Sequence, residues 1–270
     1  MTGLLKQVSR SFYLSLRLLP SSVRQPLSLA YLLARASDSI ADAPSVPAAL
    51  RLRLLHDLPG SWSPQSDGQL TGLPAAEELL LRSLPDLLRD LAASPDRTEI
   101  LAVWKIILSG QIFDLERFSA DPAPLTLDEA VRYTGLVAGC VGKFWTEVCF
   151  KHIPGYSEKS PAEMNELGVA FGCGLQWVNI LRDRHADAAS GRVYVTPENF
   201  LPALAIARRN LDAGARYASF VRPRRLRAAC RLPWELGFRT LELIAANPQS
   251  PRVKVGRGFV WRSLLRSLCH

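Results

Sequence analysis

Apolar residues recur every three or four positions in nearly every long segment of the chain, which is the period of an amphipathic helix. Leu27, Ala30, Tyr31 and Ala34 show this spacing. No alternating strand pattern competes, and most prolines fall near the ends of periodic segments, where they start or stop helices. The pattern predicts an all-α fold with helices at about 22–42, 75–92, 97–119, 126–152, 161–188, 201–219, 222–246 and 252–267.

Two of these helices carry aspartate pairs with the same spacing. Asp38 and Asp42 lie in RASDSIAD, and Asp183 and Asp187 lie in NILRDRHAD. Residues four apart on a helix share one face, about 5–6 Å apart, so each pair presents two carboxylates to one region. Two such pairs suit Mg²⁺, which binds carboxylates together with phosphate oxygens. One pair alone would more often be a solvated helix face or a salt-bridge donor.

Cationic and amide side chains share the faces of these acids. Arg35 lies one turn before Asp38, and Asn179 and Arg182 precede Asp183. The planar fork of arginine suits phosphate oxygens, so the mixture favours a phosphate held partly by metal and partly by arginine. An ion-pair network would explain the arginines but not the grouping of Asp, Asn and Gln on otherwise apolar helix faces.

Four segments, in this order, resemble the motifs of squalene/phytoene synthases, which join two prenyl diphosphates head to head. They are Ser9-Arg10-Ser11-Phe12, Tyr31-x-x-x-Arg35-x-x-Asp38-x-x-x-Asp42, Val137-Ala138-Gly139-x-Val141-Gly142, and Gln176-x-x-Asn179-x-x-Arg182-Asp183-x-x-x-Asp187 followed by Gly191-Arg192-x-Tyr194. Any one segment would be weak evidence, but four in the order of the family cover most of the chain.

The resemblance implies one domain over residues 1–270, a helical bundle of the class I isoprenoid synthase type around a central active-site cavity. It implies Mg²⁺ ligands at Asp38, Asp42, Asn179, Asp183 and Asp187. Catalytic roles fall on the four aspartates with Tyr31 and Arg35. Diphosphate contacts are implied for Ser9, Arg10, Ser11, Arg35, Asn179, Arg182 and Arg192. The wall of the carbocation pocket is assigned to Phe12, Tyr31, Val137, Ala138 and Gln176, although Phe12 and Val137 are equally consistent with an ordinary core.

The central segment RYTGLVAGCVGKFW has two unusual features. Gly135, Gly139 and Gly142 each weaken a helix by about 1 kcal/mol relative to alanine, so we expect that space is needed there. The space would serve either a close helix contact or a long prenyl chain. Many family members have an aromatic residue, often a catalytic tyrosine, where this chain has Leu136. Tyr133, one turn earlier, is our candidate for that role.

Composition excludes several other classes. The chain has 270 residues, of which 48% are hydrophobic, enough for a substantial core. Its five cysteines are scattered and lack C-x-x-C spacing, which argues against disulfides or a zinc site and makes the cytoplasm the simplest compartment. The N-terminus lacks the uninterrupted apolar core of a signal peptide, and no apolar run is long enough for a spanning helix.

The net charge of +8 raises the question of an anionic partner. We expect no nucleic acid, because the chain has no recognisable binding motif and no basic stripe interleaved with aromatic residues. Its arginine-rich C-terminal third is either a solvated surface or a basic face that meets anionic lipid. Phe259, Trp261 and Leu265 near the end motivate a prediction of peripheral membrane association.

The resemblance implies that two farnesyl diphosphates condense through presqualene diphosphate to squalene, and Ser37-Asp38 at the first motif favours the squalene-synthase style. Phytoene, dehydrosqualene and presqualene diphosphate synthases remain alternatives. A terpene cyclase fits the first and third motifs less well. Squalene synthases bind NADPH without a Rossmann unit, so use of NADPH stays open. A non-catalytic prenyl-diphosphate-binding protein predicts damage among the acids, all four of which are present, and only Leu136 favours it.

Overall fold

The computed structural model describes residues 2–8, 12–60, 62, 70, 72–251 and 253–269, and it confirms the all-α prediction. An isolated bridge joins Ser157 and Val221, and this described part of the chain contains no strand. The helices are α1 (Thr2–Val8), α2 (Phe12–Leu18), α3 (Ser21–Ala41), α4 (Ala48–Asp57), α5 (Ala75–Arg82), α6 (Leu84–Ala93), α7 (Arg97–Ala120), α8 (Leu127–Thr134), a π-helical segment (Gly135–Gly139), α9 (Cys140–His152), α10 (Pro161–Ala189), α11 (Phe200–Phe220), α12 (Arg224–Ala246) and α13 (Arg257–Cys269).

The predicted helix boundaries are wrong in several places. The predicted helix over 75–92 is two helices that meet at Ser83, next to a proline in the first turn of α6. The predicted helix over 252–267 begins only at Arg257. Helices α1, α2 and α4 were not predicted. They are 7, 7 and 10 residues long, so each offers too few turns for an apolar period to be recognised.

The central glycine-rich segment is not one continuous α-helix. Between α8 and α9 the chain forms one turn of π-helix, Gly135–Gly139. Single π turns inside α-helices cost stability and occur frequently at functional sites. Gly110 of α7 lies against Leu136 and Val137, and a Cβ added at Gly110 would come within 2.9 Å of the Leu136 side chain. The widened turn therefore packs directly on α7.

Glycines let α10 lie against α9 and the π-helical segment at backbone distance. A Cβ added at Gly142 would overlap the carbonyl oxygen of Gly168, and one at Gly172 would overlap that of Ala138. Close helix contact is thus one reason for the glycines of the central segment. The same helices also leave a cavity between them, lined in part by Gly142, Gly168 and Gly172.

Helix α10 is the longest element, with 29 residues, and its start is specified locally. Ser160 accepts a hydrogen bond from the backbone N–H of Glu163, the Glu163 carboxylate accepts one from the N–H of Ser160, and Pro161 occupies the first turn. This capping box satisfies backbone donors that would otherwise be unpaired. Trp177 in its middle and Trp104 of α7 are fully buried in the core. The helix carries the second aspartate pair at its other end.

Candidate active site

The first aspartate pair lies in the last turns of α3. Arg35, one turn earlier, forms an ion pair with Asp38 and a second one with Glu77 of α5, at 2.6 Å. The side chains of Arg35 and Glu77 are largely buried, whereas that of Asp38 is 42% exposed. Arg35 therefore ties the first motif to α5 and leaves Asp38 accessible.

The second aspartate pair lies near the end of α10 and has its own arginine. Arg182 donates to both carboxylate oxygens of Asp183, at 2.8 and 2.5 Å. One turn earlier, the Asn179 amide donates to the side-chain oxygen of Gln176, at 3.3 Å. The acids and amides predicted from the sequence thus share one stripe of α10.

A helix stop brings Arg192 back toward the first motif. Gly191 has a φ of +83°, a conformation that glycine adopts without strain. The N–H of Arg192 binds the carbonyl of Asp187 at 2.9 Å, and the N–H of Gly191 binds that of Ala188 at 3.0 Å. This pattern is a Schellman motif, which ends a helix and reverses the chain. Gly191 and Arg192 therefore end α10 and turn the chain.

Arg192 connects the two motifs. Its guanidinium lies 2.7 Å from Asp42 of the first motif and 3.4 Å from Asp114 of α7. Tyr194, two residues later, donates a 2.5 Å hydrogen bond to Asp114. Asp114 is almost fully buried, so a cation and a phenol together satisfy a carboxylate that would otherwise be costly to bury. The two motifs, distant in sequence, meet at this arginine.

The carboxylates of the site repel one another. Partial desolvation and then the charge of Asp42 raise the pKa of Asp38 to about 6. Desolvation and then the charge of Asp183 raise the pKa of Asp187 to about 6, with smaller contributions from Asp114 and Asp42. Because Asp187 senses acids of α3 and α7, the two aspartate pairs lie within electrostatic reach of each other. The site has excess negative charge that a cation would relieve.

Tyr133 lies beside these acids. Its ring stacks on that of Tyr194, with centroids 5.3 Å apart and an interplanar angle of 23°. Burial and then the charge of Asp114 raise the pKa of Tyr133, so the residue is a neutral phenol at physiological pH. The tyrosine predicted as a stand-in for Leu136 is thus adjacent to both motifs through Tyr194 and Asp114.

An apolar cavity of about 300 Å³ begins beside the acids. Its polar lining at that end comes from Tyr31, Gln176 and Asn179, one or two turns before Asp38 and Asp183. We call this the acid end of the cavity. Val137 and Ala138 also line it, so four of the five predicted wall residues lie together. The side chain of the fifth, Phe12, and the predicted contacts Ser9, Arg10 and Ser11 lie outside what the structure describes.

Sequence reasoning missed four side chains of the acid end. Glu77 pairs with Arg35, Asp114 pairs with Arg192, and Tyr194 donates to Asp114, as described above. Arg51 of α4 donates to the carbonyl of Ala41 at 2.5 Å, and its pKa is lowered by burial and then by the charge of Arg192. Asp114 carried one signal in the sequence, since it is a carboxylate in a strongly apolar helix. Tyr194 belongs to the fourth quoted segment but was given no role, and nothing local marks Glu77 or Arg51.

The donor set fits Mg²⁺ when a diphosphate is present. Among the described residues, no three His, Cys, Asp or Glu side chains form a ready-made metal cluster. Mg²⁺ does not require such a cage, because it usually takes one or two carboxylates and completes its shell with waters and phosphate oxygens. Mutually repelling aspartates on α3 and α10 supply such ligands, with the Asn179 oxygen nearby.

Comparison with known proteins agrees on one family. The model of the squalene/phytoene synthase family matches residues 5–203. A bifunctional lycopene cyclase/phytoene synthase of Pyrenophora tritici-repentis is 32% identical over 209 residues, which cover 73% of this chain and 33% of that protein. A phytoene synthase of Arthrospira platensis is 28% identical over 196 residues, 70% of this chain and 57% of that one. The chain spans less than two thirds of the length of these curated relatives.

A solved structure shows the same fold. The protein called TcSQS, in complex with the ligand BPH1237, superposes with a TM-score of 0.81 at 22% identity, covering 99% of this chain and 85% of the other. At that identity the likeness concerns the fold alone.

Proposed function

Because this chain belongs to the squalene/phytoene synthase family, a family of prenyl transferases, we propose that it joins two prenyl diphosphates head to head. The substrate is farnesyl diphosphate: two molecules condense to presqualene diphosphate with loss of one diphosphate, and loss of the second diphosphate with hydride transfer from NADPH gives squalene. One observation carries the proposal: two aspartate pairs, each ion-paired with arginine (Arg35, Arg182 and Arg192), follow within one or two helical turns the polar residues that line one end of an apolar cavity.

The arginines support ionisation of the first substrate. Negative charge builds up on the leaving diphosphate, and preorganised cations that face this charge lower the barrier. Arg35, Arg182 and Arg192 each pair with an aspartate of the site, at partly exposed positions. An incoming diphosphate can take up these guanidinium groups in bidentate fashion. Bound at Asp38, Asp42, Asn179, Asp183 and Asp187, Mg²⁺ would neutralise further charge on the leaving group.

The cavity supports survival of the carbocation. The cation that remains after diphosphate departs must be kept from water, and an apolar lining excludes water. Tyr31, whose hydroxyl donates to the carbonyl of Val8 at 3.3 Å, lines the acid end together with Val137 and Ala138. Aromatic faces stabilise nearby cations. The raised pKa of Tyr133 suits a neutral phenol and does not suit a base. Tyr133 itself is not among the residues that line the cavity.

The assay that tests the proposal uses purified protein, farnesyl diphosphate and Mg²⁺, with and without NADPH, and identifies the products by mass. Squalene formed only with NADPH is the expected result. Presqualene diphosphate or dehydrosqualene as the end product would retain the condensation and overturn the assignment of squalene. Protein that binds the substrate without turnover would support the binding-protein alternative instead.

A second candidate is phytoene synthesis from geranylgeranyl diphosphate. The observation that favours it is that both curated relatives described above carry the name phytoene synthase. The same assay with geranylgeranyl diphosphate separates the two. Phytoene from this substrate, without turnover of farnesyl diphosphate, would replace the first proposal.

We also propose that the protein docks on anionic membranes through α13. Trp261 and Leu265, one turn apart, are 63% and 62% exposed, and the exposed Arg262 and Arg266 lie beside them. Exposed apolar side chains flanked by arginine on one helix face suit the headgroup region of a bilayer. None of the described helices is both long and apolar enough to span a bilayer.

Sedimentation with anionic vesicles at low salt tests this docking. We expect the W261S/L265S variant to bind at least about tenfold more weakly than the unchanged protein, given the apolar area removed. L201S is the matched control, because Leu201 of α11 is 71% exposed on another helix. Equal losses in both variants, or no sedimentation of the unchanged protein, would contradict the proposal.

A further inference from the structure

The cavity has a defined direction. On α10 its lining runs from Asn179 at the acid end to Gly168, and on α3 it runs from Ala34 to Leu27. Helix α9 runs in the opposite direction, and its last lining residue, Trp145, lies at this same end of the cavity. Three helices thus define a far end of the cavity, remote from the aspartates.

The length of the cavity is comparable with that of a prenyl tail. Asn179 and Gly168 are eleven residues apart, so at 1.5 Å per residue the lined stretch of α10 is about 16 Å long. The main chain of a farnesyl group has twelve carbons and, with ordinary single-bond lengths and angles, extends about 14 Å. A geranylgeranyl group, with sixteen, extends about 19 Å. The shorter tail therefore matches the lined stretch of α10, and the longer one exceeds it by about 3 Å.

Tyr217 of α11 is fixed at the far end. Its ring lines the cavity, and the residue is 1% exposed. Its hydroxyl lies 2.8 Å from the hydroxyl of Thr146 and 2.7 Å from that of Tyr156, both of which are themselves buried. A phenol held by two buried partners loses hydrogen bonds if it swings away, so its ring is a rigid wall.

Phe171 completes this wall. It lines the cavity, and its ring centroid is 6.4 Å from that of Tyr217. Gly214 makes room for the ring, because a Cβ there would lie 2.8 Å from two of the Phe171 ring carbons. Two aromatic side chains, one hydrogen-bonded and one seated on a glycine, therefore form part of the cavity wall at the far end.

We infer that Tyr217, backed by Phe171, is the stop that limits a bound prenyl tail to about fifteen carbons, and so commits the site to farnesyl diphosphate. This inference rests on the proposed function. It assigns chain-length selection to residues of α10 and α11, far from the aspartates that would bind the diphosphate.

The test is the ratio of kcat/KM for geranylgeranyl diphosphate to that for farnesyl diphosphate. Tyr217→Ala removes the stop, and we expect the ratio to rise about tenfold or more, since even one methylene in an apolar pocket changes discrimination about tenfold. Phe171→Leu opens the same end without touching the hydroxyl network and should raise the ratio in the same direction. It also keeps the test informative if Tyr217→Ala does not fold.

Tyr156→Phe is the matched control. It removes a hydrogen bond from Tyr217, yet Tyr156 does not line the cavity. A ratio that rises as much in this variant would show that loosened packing, and not added space, governs selection, and it would overturn the inference. Unchanged ratios in both opening variants, or an unchanged protein that prefers geranylgeranyl diphosphate, would also overturn it while leaving head-to-head catalysis intact. Lack of turnover with either substrate would instead remove the proposed function.

Discussion

At the acid end of the cavity, Arg182 pairs with Asp183 and Arg192 pairs with Asp42 through side chains that are 26–50% exposed. At the far end, Tyr217 is buried and held by two buried hydroxyls. Partly exposed ion pairs contribute little stability, about 0–1 kcal/mol each. Buried hydrogen bonds cost about 1–3 kcal/mol when one partner is lost. The acid end can therefore exchange its partners for a ligand, while the far end keeps its shape.

The pKa values of Asp38, in the site, and Asp96, outside it, are shifted in opposite directions. Desolvation and then Asp42 raise the pKa of Asp38 to about 6. Its ionisation therefore costs the folded state free energy as the pH rises above the unfolded value of 3.8, and the cost is complete above about pH 6. Burial alone would raise the pKa of Asp96, but hydrogen bonds from Lys151 and His152 outweigh it and hold this pKa below its ordinary value. Asp96 directly precedes α7 and pairs with Lys151 and His152 at the end of α9. Its charge stabilises the fold.

The largest expected effect is on turnover at the acid end. We expect Asp38→Asn and Asp183→Asn each to lower kcat by about 10²–10³-fold or more, the scale of losing one electrostatic contact to the transition state. The melting temperature of Asp38→Asn at pH 7 should stay equal or rise, since a repelled charge is removed. Asp86→Asn is the control, because Asp86 pairs only with the exposed Arg89 in the described contacts. Near-normal turnover in both site variants would refute the proposed role of the aspartates.

The second-largest expected effect is on the free energy of unfolding, at the contact between α9 and α10. Gly142→Ala would place a methyl group against the Gly168 carbonyl, and we expect a loss of about 3 kcal/mol or more from overpacking. Gly135→Ala is the matched control, because no atom lies within 4 Å of its added Cβ. That control should change stability by no more than about 1 kcal/mol. Urea denaturation measures the free energy of unfolding of both variants. Equal losses would show that the contact between α9 and α10 is looser than described.

A smaller effect is the pH dependence of the stability that Asp96 contributes. We expect Asp96→Asn to lower the free energy of unfolding at pH 7 by about 1.5–3 kcal/mol, because hydrogen bonds to a charged group are lost. Since the folded pKa of Asp96 lies below the unfolded value near 3.8, its stabilisation is complete above that value. It disappears as the pH falls through the folded pKa. Denaturation curves of both proteins between pH 7 and pH 2 should converge in acid, and a constant gap would contradict the assignment to ionisation.

The smallest stability change tests how Arg192 is placed. Gly191→Ala and Gly155→Ala both force alanine into a positive φ, +83° and +66°, with no atom near the new Cβ. Each should cost about 1–2 kcal/mol. Only Gly191→Ala should also lower kcat/KM, by about tenfold, because small misplacements of positioning groups are costly. If both variants lose activity equally, global stability and not the placement of Arg192 is responsible.

The sequence periodicity determined the all-α class of the fold and the helix faces that carry the polar residues. A spacing of four residues placed Asp38 and Asp42, and likewise Asp183 and Asp187, on common helix faces. The Ser160–Glu163 capping box specifies the start of α10. These features depend on neighbours a few residues apart, which is why the chain itself carries them. The π turn at Gly135–Gly139 was not predicted, and it packs against Gly110 of another helix, a contact that no local pattern indicates.

Only the tertiary structure decided which side chains complete the site. Arg35 meets Glu77 across 42 residues, Tyr194 meets Asp114 across 80, and Arg192 meets Asp42 across 150. Local spacing contains no information about such pairs, because they form when helices pack. The amino-acid sequence by itself thus determined the long helices, their acidic faces and the family. Packing determined that two of those faces meet at one arginine, above a cavity whose far end Tyr217 occupies.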